Sequence, residues 1–397
     1  MKKITSDKIF AILAFLGIYL LSTGVSYAVF NHYAKPSMPK DGFAIETEEG
    51  LRLDVTGPKD KECPLNGKMF TKEEEESWSK RRPLFVMIEN HEEARPQSGL
   101  SKTDIVYEAV AEGGITRFGA IFYCDTQAKE TIMGPVRSAR TYFVDWASEY
   151  GPALYAHVGG AHCDPQTSEG CLNGGRADAL GQIYDYGWEG ENDLNQFSLG
   201  YPTFWRDYER IGHTVATEHT MYSTTEKLWK VADKRDWTNL DPEEGEWIDN
   251  FTPWSFKDGE PGGSVNSISF GFWDEYKDYG VKWEYDSGNN EYKRVNGGEA
   301  HKDLNTDSQV TTKNVVIQFA KESPANDGYP GNVHLLYGTT GTGKALVFQD
   351  GKVVKANWSK KNRIGRTVFT TEGGSEIEFV RGRIWIEVLP TGTDVNY

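Results

Sequence analysis

The sequence predicts an α+β protein: an N-terminal α/β domain built on a mixed sheet, followed by a mainly antiparallel β domain. Two patterns carry this. Between residues 83 and 240, short continuous apolar runs such as 84–88 alternate with stretches whose apolar residues recur every three or four positions. After residue 263 the apolar period falls to two: Ile268, Phe270 and Phe272 alternate with other residues, as do Val281, Trp283 and Tyr285. The length agrees, since 397 residues exceed one ordinary domain.

Taken in order, Lys2, Lys3 and Lys8 precede an uncharged run from 9 to 34. Residues 1–34 are expected to form a transmembrane anchor or signal segment, because about 20 apolar residues span a bilayer. Ser26-Tyr27-Ala28 offers a small-x-small cleavage site, but the length of the run favours a retained signal-anchor. The leading lysines place the bulk of the chain outside the cytoplasm. Residues 35–82, with prolines, lysines and the acidic run 73–76, read as a tether. The α/β domain, 83–240, opens with strands at 84–88, 104–111 and 115–123, the last carrying Arg117.

The stretch 134–140, Gly-Pro-Val-Arg-Ser-Ala-Arg, is the expected centre of function. A strand-like run at 131–133 leads into it. A helical pattern (Tyr142, Phe143, Trp146, Ala147, Tyr150) leaves it. It therefore reads as a strand-to-helix turn with Ser138 as N-cap and free N–H groups beside Arg137 and Arg140. A helix N-terminus and guanidinium forks both suit phosphate or carboxylate. The competing reading is that these arginines brace the domain by pairing with acids. The strand at 153–158 ends in Gly159-Gly160, and ligands in such sheets sit beyond strand carboxyl ends. The expected ligand-binding set is Arg117, Arg137, Ser138, Arg140, His157, Gly159 and Gly160. Arg206 (in Phe-Trp-Arg-Asp) and His219 (in Glu-His-Thr-Met-Tyr) complete it. Glu108, Glu112 and Asp145 are candidate bases or metal ligands, against the plainer reading that they neutralise nearby arginines.

Residues 161–203 read as a long lid or insertion with a short helix at 177–186, and 223–226 as a capping box. The acidic stretch 241–263 reads as a linker. Within the β-rich domain, 264–397, strands are expected at 314–319 and 333–337. Hairpins are expected at 346–355, around Asp350-Gly351, and at 377–388, around Arg381-Gly382. Residues 338–345 approach a phosphate-binding P-loop, but Ala345 lacks the required hydroxyl and a hairpin follows, so they read as a turn.

A net charge of −16 argues against a nucleic-acid partner and makes a local arginine cluster more informative. Of the four cysteines, Cys163 and Cys171 are expected to pair, leaving Cys63 and Cys124 paired or both free. A metal set drawn from His157, His162, Cys163, Asp164 and Cys171 matches no compact ligand spacing, so no metal site is assigned. Neither a serine nucleophile elbow nor a His-Glu-x-x-His motif occurs, and enzymatic activity is left open.

Arg82-Pro83 leading into Val86-Met-Ile-Glu-Asn90 resembles the opening of the YerB-like lipoprotein family. The same resemblance runs through 95–101, 104–108, Glu112-Gly-Gly-Ile-Thr-Arg-Phe118, 134–140 and His157-Val-Gly-Gly160. It continues more weakly through 204–207, 219–222 and the β-rich part from 264 to 390. It implies an exported, membrane-attached two-domain protein of unassigned activity. The absence of a lipid-acceptor cysteine near the apolar run departs from the family and favours a transmembrane segment. In layout alone, the chain is also similar to LytR-CpsA-Psr phosphotransferases. That resemblance implies Arg117, Arg137 and Arg140 holding pyrophosphate, with Mg²⁺ on Asp104 or Asp145. The leading expectation is an envelope protein binding an anionic, phosphorylated or carboxylated ligand. The alternative is a Mg²⁺-dependent phosphotransferase or glycan-phosphate transferase acting on a polyprenyl-linked wall precursor.

Overall fold

Continuous apolar runs become buried strands. The first three are β1 (Leu84–Glu89), β2 (Ile105–Glu112) and β3 (Ile115–Phe122). β4 (Leu154–His157) and β5 (Asp193–Asn195) follow. The later part of the chain adds β6 (Asn314–Ala320), β7 (Gly341–Gln349), β8 (Lys352–Lys360), β9 (Val368–Thr371) and β10 (Ile384–Pro390). This computed structural model describes residue 53 and residues 55–241, 245–331 and 333–397. The expected anchor lies outside the described residues; among those, no helix is long and apolar enough to cross a membrane.

Among the described residues these ten strands join in one mixed sheet, ordered β9-β8-β7-β6-β10-β2-β3-β1-β4-β5. β10 runs parallel to both neighbours, with Trp385 opposite Val315 on one side and Val106 on the other. The sheet thus passes from the N-terminal segment into the C-terminal one, and residues 50–397 make one compact unit. Beside it stands the antiparallel meander of Ser267–Phe270, Val281–Asp286 and Glu291–Asn296. The α+β class therefore holds.

The four longest α-helices among the described residues are α1 (Lys72–Trp78), α2 (Thr141–Ala147), α3 (Ala179–Asp185) and α4 (Thr225–Lys234). α1 lies within the expected tether and carries a capping box, Thr71 with Glu74. The Cys63–Cys124 disulfide ties the segment before it to the end of β3. The α4 cap is Thr224, not Ser223: the Thr224 hydroxyl accepts the Lys227 N–H, while the Ser223 hydroxyl donates to the Thr203 carbonyl. The stretch read as a linker is packed down by buried Trp247, Phe251 and Trp254.

The hairpin at Asp350-Gly351 forms, with both residues at positive φ (58° and 68°), as a type I′ turn requires. Its first strand, β7, begins at Gly341, so the P-loop-like residues 341–345 are strand and no phosphate-binding helix follows. The hairpin expected at 377–388 does not form. Phe379–Val380 pairs in parallel with Phe256–Lys257, and β10 enters the large sheet instead. β10 is buried along nearly its whole length, and a central position covers both faces where a hairpin edge would expose one.

Between β2 and β10, Glu108 lies opposite Glu387. Arg294, fully buried, is ion-paired to Glu108 and stands 4.9 Å from the Trp385 ring. One guanidinium nitrogen lies 2.8 Å from His301 Nδ1, and His301 Nε2 donates to Gln97 Oε1 at 2.7 Å. His301 is therefore neutral. Burial, then the Arg294 and Arg95 charges, push its pKa well below the ordinary 6.5. Burial, then the Glu108 charge, keep the Glu387 carboxyl protonated far above its usual range.

Candidate functional site

Residues 134–140 run extended rather than turning into a helix. The Arg137 N–H donates to the Met87 carbonyl (2.9 Å), and the Ala139 N–H to the Gly159 carbonyl (2.9 Å). The Val158 N–H returns a bond to the Arg137 carbonyl (3.0 Å). α2 starts only at Thr141, with Arg140 as N-cap and no side-chain cap. Ser138 is therefore not an N-cap. The segment lies between the end of β1 and the loop after β4, and pairing with both satisfies its backbone before a helix can start. Any anion recognition here falls to side chains.

Those side chains converge. Glu112, at the end of β2, is bridged by Arg117 Nη2 at 3.2 Å and by Arg140 Nη2. Arg117 also donates to the Ser138 carbonyl (3.0 Å) and Arg140 to the Ala139 carbonyl (2.7 Å). Both guanidiniums are buried, and each leaves Nε without a hydrogen-bond partner among the described residues. Glu89, at the end of β1, pairs with Arg137 Nε (3.0 Å) and His219 Nδ1 (2.8 Å). Burial pushes the Glu89 carboxyl up, but the His219 hydrogen bond and the Arg137 and Arg117 charges prevail and hold it below its usual value. The same bond, working against burial, raises His219. Burial lowers all three arginines, which remain charged at neutral pH.

Two clefts open over this cluster. One, of about 380 Å³, is lined by Glu112, Arg137, Ser138, Arg140 and Gly160, with His162, Asp164 and Glu169 on one wall and Tyr329 and His334 on another. The second, of about 680 Å³, shares Arg137, Ser138 and Gly160 and adds Gly159, Leu180, Phe197, Arg206 and Glu218. Gly159 has φ +57°, and a Cβ on Gly160 would lie 2.9 Å from Leu180 Cδ2 and 3.2 Å from Ala139 Cβ. The two glycines let the chain turn tightly against the arginine segment.

Most of the expected set is thus gathered, in unequal roles. Arg137, Ser138, Arg140, Gly159, Gly160 and Arg206 line the clefts. Arg117 braces from behind. His157 does not face a ligand: its ring is buried, with Nδ1 2.6 Å from the Gly159 carbonyl and Nε2 2.7 Å from Asp193. It holds the glycine turn in place. His219 is buried against Glu89.

Asp104 accepts from Asn66 Nδ2 (2.7 Å) and from the Tyr123 and Cys124 N–H groups, beside the first disulfide. Asp145 is engaged by Gln182 (2.7 Å) and Thr339 (2.7 Å). Cys163 and Cys171 are joined, which removes both thiolates from the metal set considered above. Glu89, Tyr329 and His334 are absent from the expected set. Glu89 ends an otherwise apolar strand, a position where a carboxylate needs a buried partner. Tyr329 and His334 come from the far segment, and no short-range pattern announces them.

Fold and site together define a class: an α+β protein with two disulfides and an arginine–carboxylate cleft at the ends of its first strands. The chain belongs to the family described as "Protein of unknown function (DUF3048)", whose N-terminal domain matches residues 70–238 and whose C-terminal domain matches 269–386. It is 31% identical over 317 residues to the "Putative lipoprotein YerB" of Bacillus subtilis (strain 168), covering 80% of this chain and 83% of that protein. The crystal structure of the YerB protein from Bacillus subtilis matches with a TM-score of 0.62 at 28% identity, over 85% of this chain and 100% of that one.

Proposed function

We propose that this is a membrane-anchored extracytoplasmic protein that binds an anionic envelope ligand, phosphorylated or carboxylated, in the arginine cleft. Two disulfides suit an oxidising compartment, and a similar protein carries the name lipoprotein. The observation that carries the reading is a charge imbalance. Among the described residues, Arg117, Arg137 and Arg140 share only Glu89 and Glu112 as directly paired carboxylates, and Arg140, which lines the cleft, has an Nε with no hydrogen-bond partner. An anion placed there would offset the excess charge. Binding is better supported than transfer, because Asp104 and Asp145 are hydrogen-bonded elsewhere and neither is paired with the arginines.

Thermal unfolding of the full chain with inorganic pyrophosphate and with acidic wall-glycan fragments tests this. A midpoint raised in wild type but not in Arg140→Ala is the expected result, with no Mg²⁺ requirement. A midpoint unmoved by either probe removes the proposal, and a strict Mg²⁺ dependence would transfer it to the phosphotransferase reading.

A further inference from the structure

Behind the arginine cleft, where β1 ends, His91, Glu93 and His219 bring one ligand atom each to within 4.8 Å of one another. The His91 and His219 rings stack at 4.7 Å between centroids, and His219 Nε2 lies 3.6 Å from Glu93 Oε2. We propose that these three side chains bind a divalent transition-metal ion of the Zn²⁺ type.

Four observations support it. The donor set is two imidazoles and one carboxylate, which suits borderline metals such as Zn²⁺ over Mg²⁺ or Ca²⁺. Three protein donors of this kind leave a fourth position for water. His219 already has the outer support that metal-bound histidines use: Nδ1 is held by the buried Glu89 carboxylate at 2.8 Å, which fixes the ring and leaves Nε2 toward Glu93. Glu89 is itself fixed by Arg137 Nε at 3.0 Å, so that support is anchored in the sheet rather than in a loop. Finally, the other two donors are adjustable. Glu93 is exposed, His91 is half-buried, and the His91 Nδ1 lone pair accepts only a 3.2 Å bond from the Glu93 N–H. Bringing three donors from 4.8 Å to the roughly 3.3 Å spacing of a tetrahedral ion with bonds of about 2 Å needs movement at this outer edge alone. The strand pairing of β1 is untouched. Sequence spacing could not show the site, since His91 and His219 are far apart in the chain.

The test uses the full chain, stripped by a chelator and titrated with Co²⁺ as a spectroscopic probe and with Zn²⁺ by calorimetry. One ion per chain is expected, with the visible absorption of low-coordinate Co²⁺, and Zn²⁺ should displace it. His91→Ala, at a half-exposed position that leaves the buried pair intact, should weaken binding at least 10-fold, and Glu93→Gln several-fold. Glu89→Gln should weaken it about 10- to 100-fold through His219. Thermal unfolding of each apo variant separates loss of binding from loss of fold. Absence of binding by wild type overturns the proposal. So does binding that survives His91→Ala and Glu93→Gln but falls with His162→Ala, which would place the ion in the neighbouring cleft.

Discussion

Two buried ionisable residues at the centre of the sheet pull stability in opposite directions with pH. Glu387 keeps its proton in the fold, because burial and Glu108 raise its pKa well above 4.5. The unfolded chain releases that proton as pH rises through 4.5, so this residue removes stability with increasing pH, up to the folded value. His301 stays neutral in the fold, while the unfolded chain takes up a proton below 6.5. It removes stability as pH falls through that value. Glu387→Gln should abolish the first slope and leave the second, since an amide can still accept from Trp283 Nε1. Urea unfolding at about pH 5, 7 and 9 should show the variant gaining on wild type as pH rises, by at most about 1.4 kcal/mol per unit. A difference flat in pH would show that Glu387 titrates alike in both states. None of this was legible in the sequence. Glu108 was visible as a carboxylate of open role, but its partner across the strand lies 279 positions later in number, and only the parallel pairing of β10 joins them.

The glycine turn after β4 sets how closely the arginine segment meets α3. A methyl group on Gly160 would crowd Leu180 and Ala139. Gly160→Ala should therefore destabilise by about 1–3 kcal/mol, and adding Leu180→Ala should recover part of that loss. Denaturant unfolding of both variants decides it: a double variant no better than the sum of its parts would place the strain elsewhere. The same turn shows where sequence reasoning succeeded. Apolar run, Gly-Gly and arginine motif read correctly as neighbours at the strand ends. It failed at Ser138 because an N-cap pattern is local, whereas the choice between helix start and extended pairing was made by Met87 and Gly159, distant in sequence. The hairpin expected around Arg381-Gly382 failed for a similar reason. Turn residues signal a reversal, but a strand buried on both faces needs neighbours on both sides, and its adjacent run could supply only one.

At the scale of the molecule, the segments 70–238 and 269–386 share one sheet. The change of period near 263 was a true change of local pattern, and what it did not reveal is that β6 and β10 continue the earlier sheet. Calorimetry of the full chain should therefore show residues 50–397 melting in one cooperative transition. A chain stopped before Ile384 should lose protection in β2 as well as β6 by hydrogen exchange. Two separate transitions, or a truncated chain with β2 still protected, would show that the segments fold independently. The observed order also explains why the arginine cleft is lined by Tyr329 and His334: both segments meet where β2 ends.

β10 carries a further consequence. A ribosome delivers this strand after the other nine of its sheet, yet β2 and β6, made before it, each keep a bare edge until it arrives. During that interval the nascent protein presents unpaired backbone and the apolar faces of Val106, Tyr107 and Val315 to whatever lies nearby. Closure of the sheet thus waits on β10. A chain still waiting for β10 keeps its sheet unclosed, in the condition that a holding chaperone can grip.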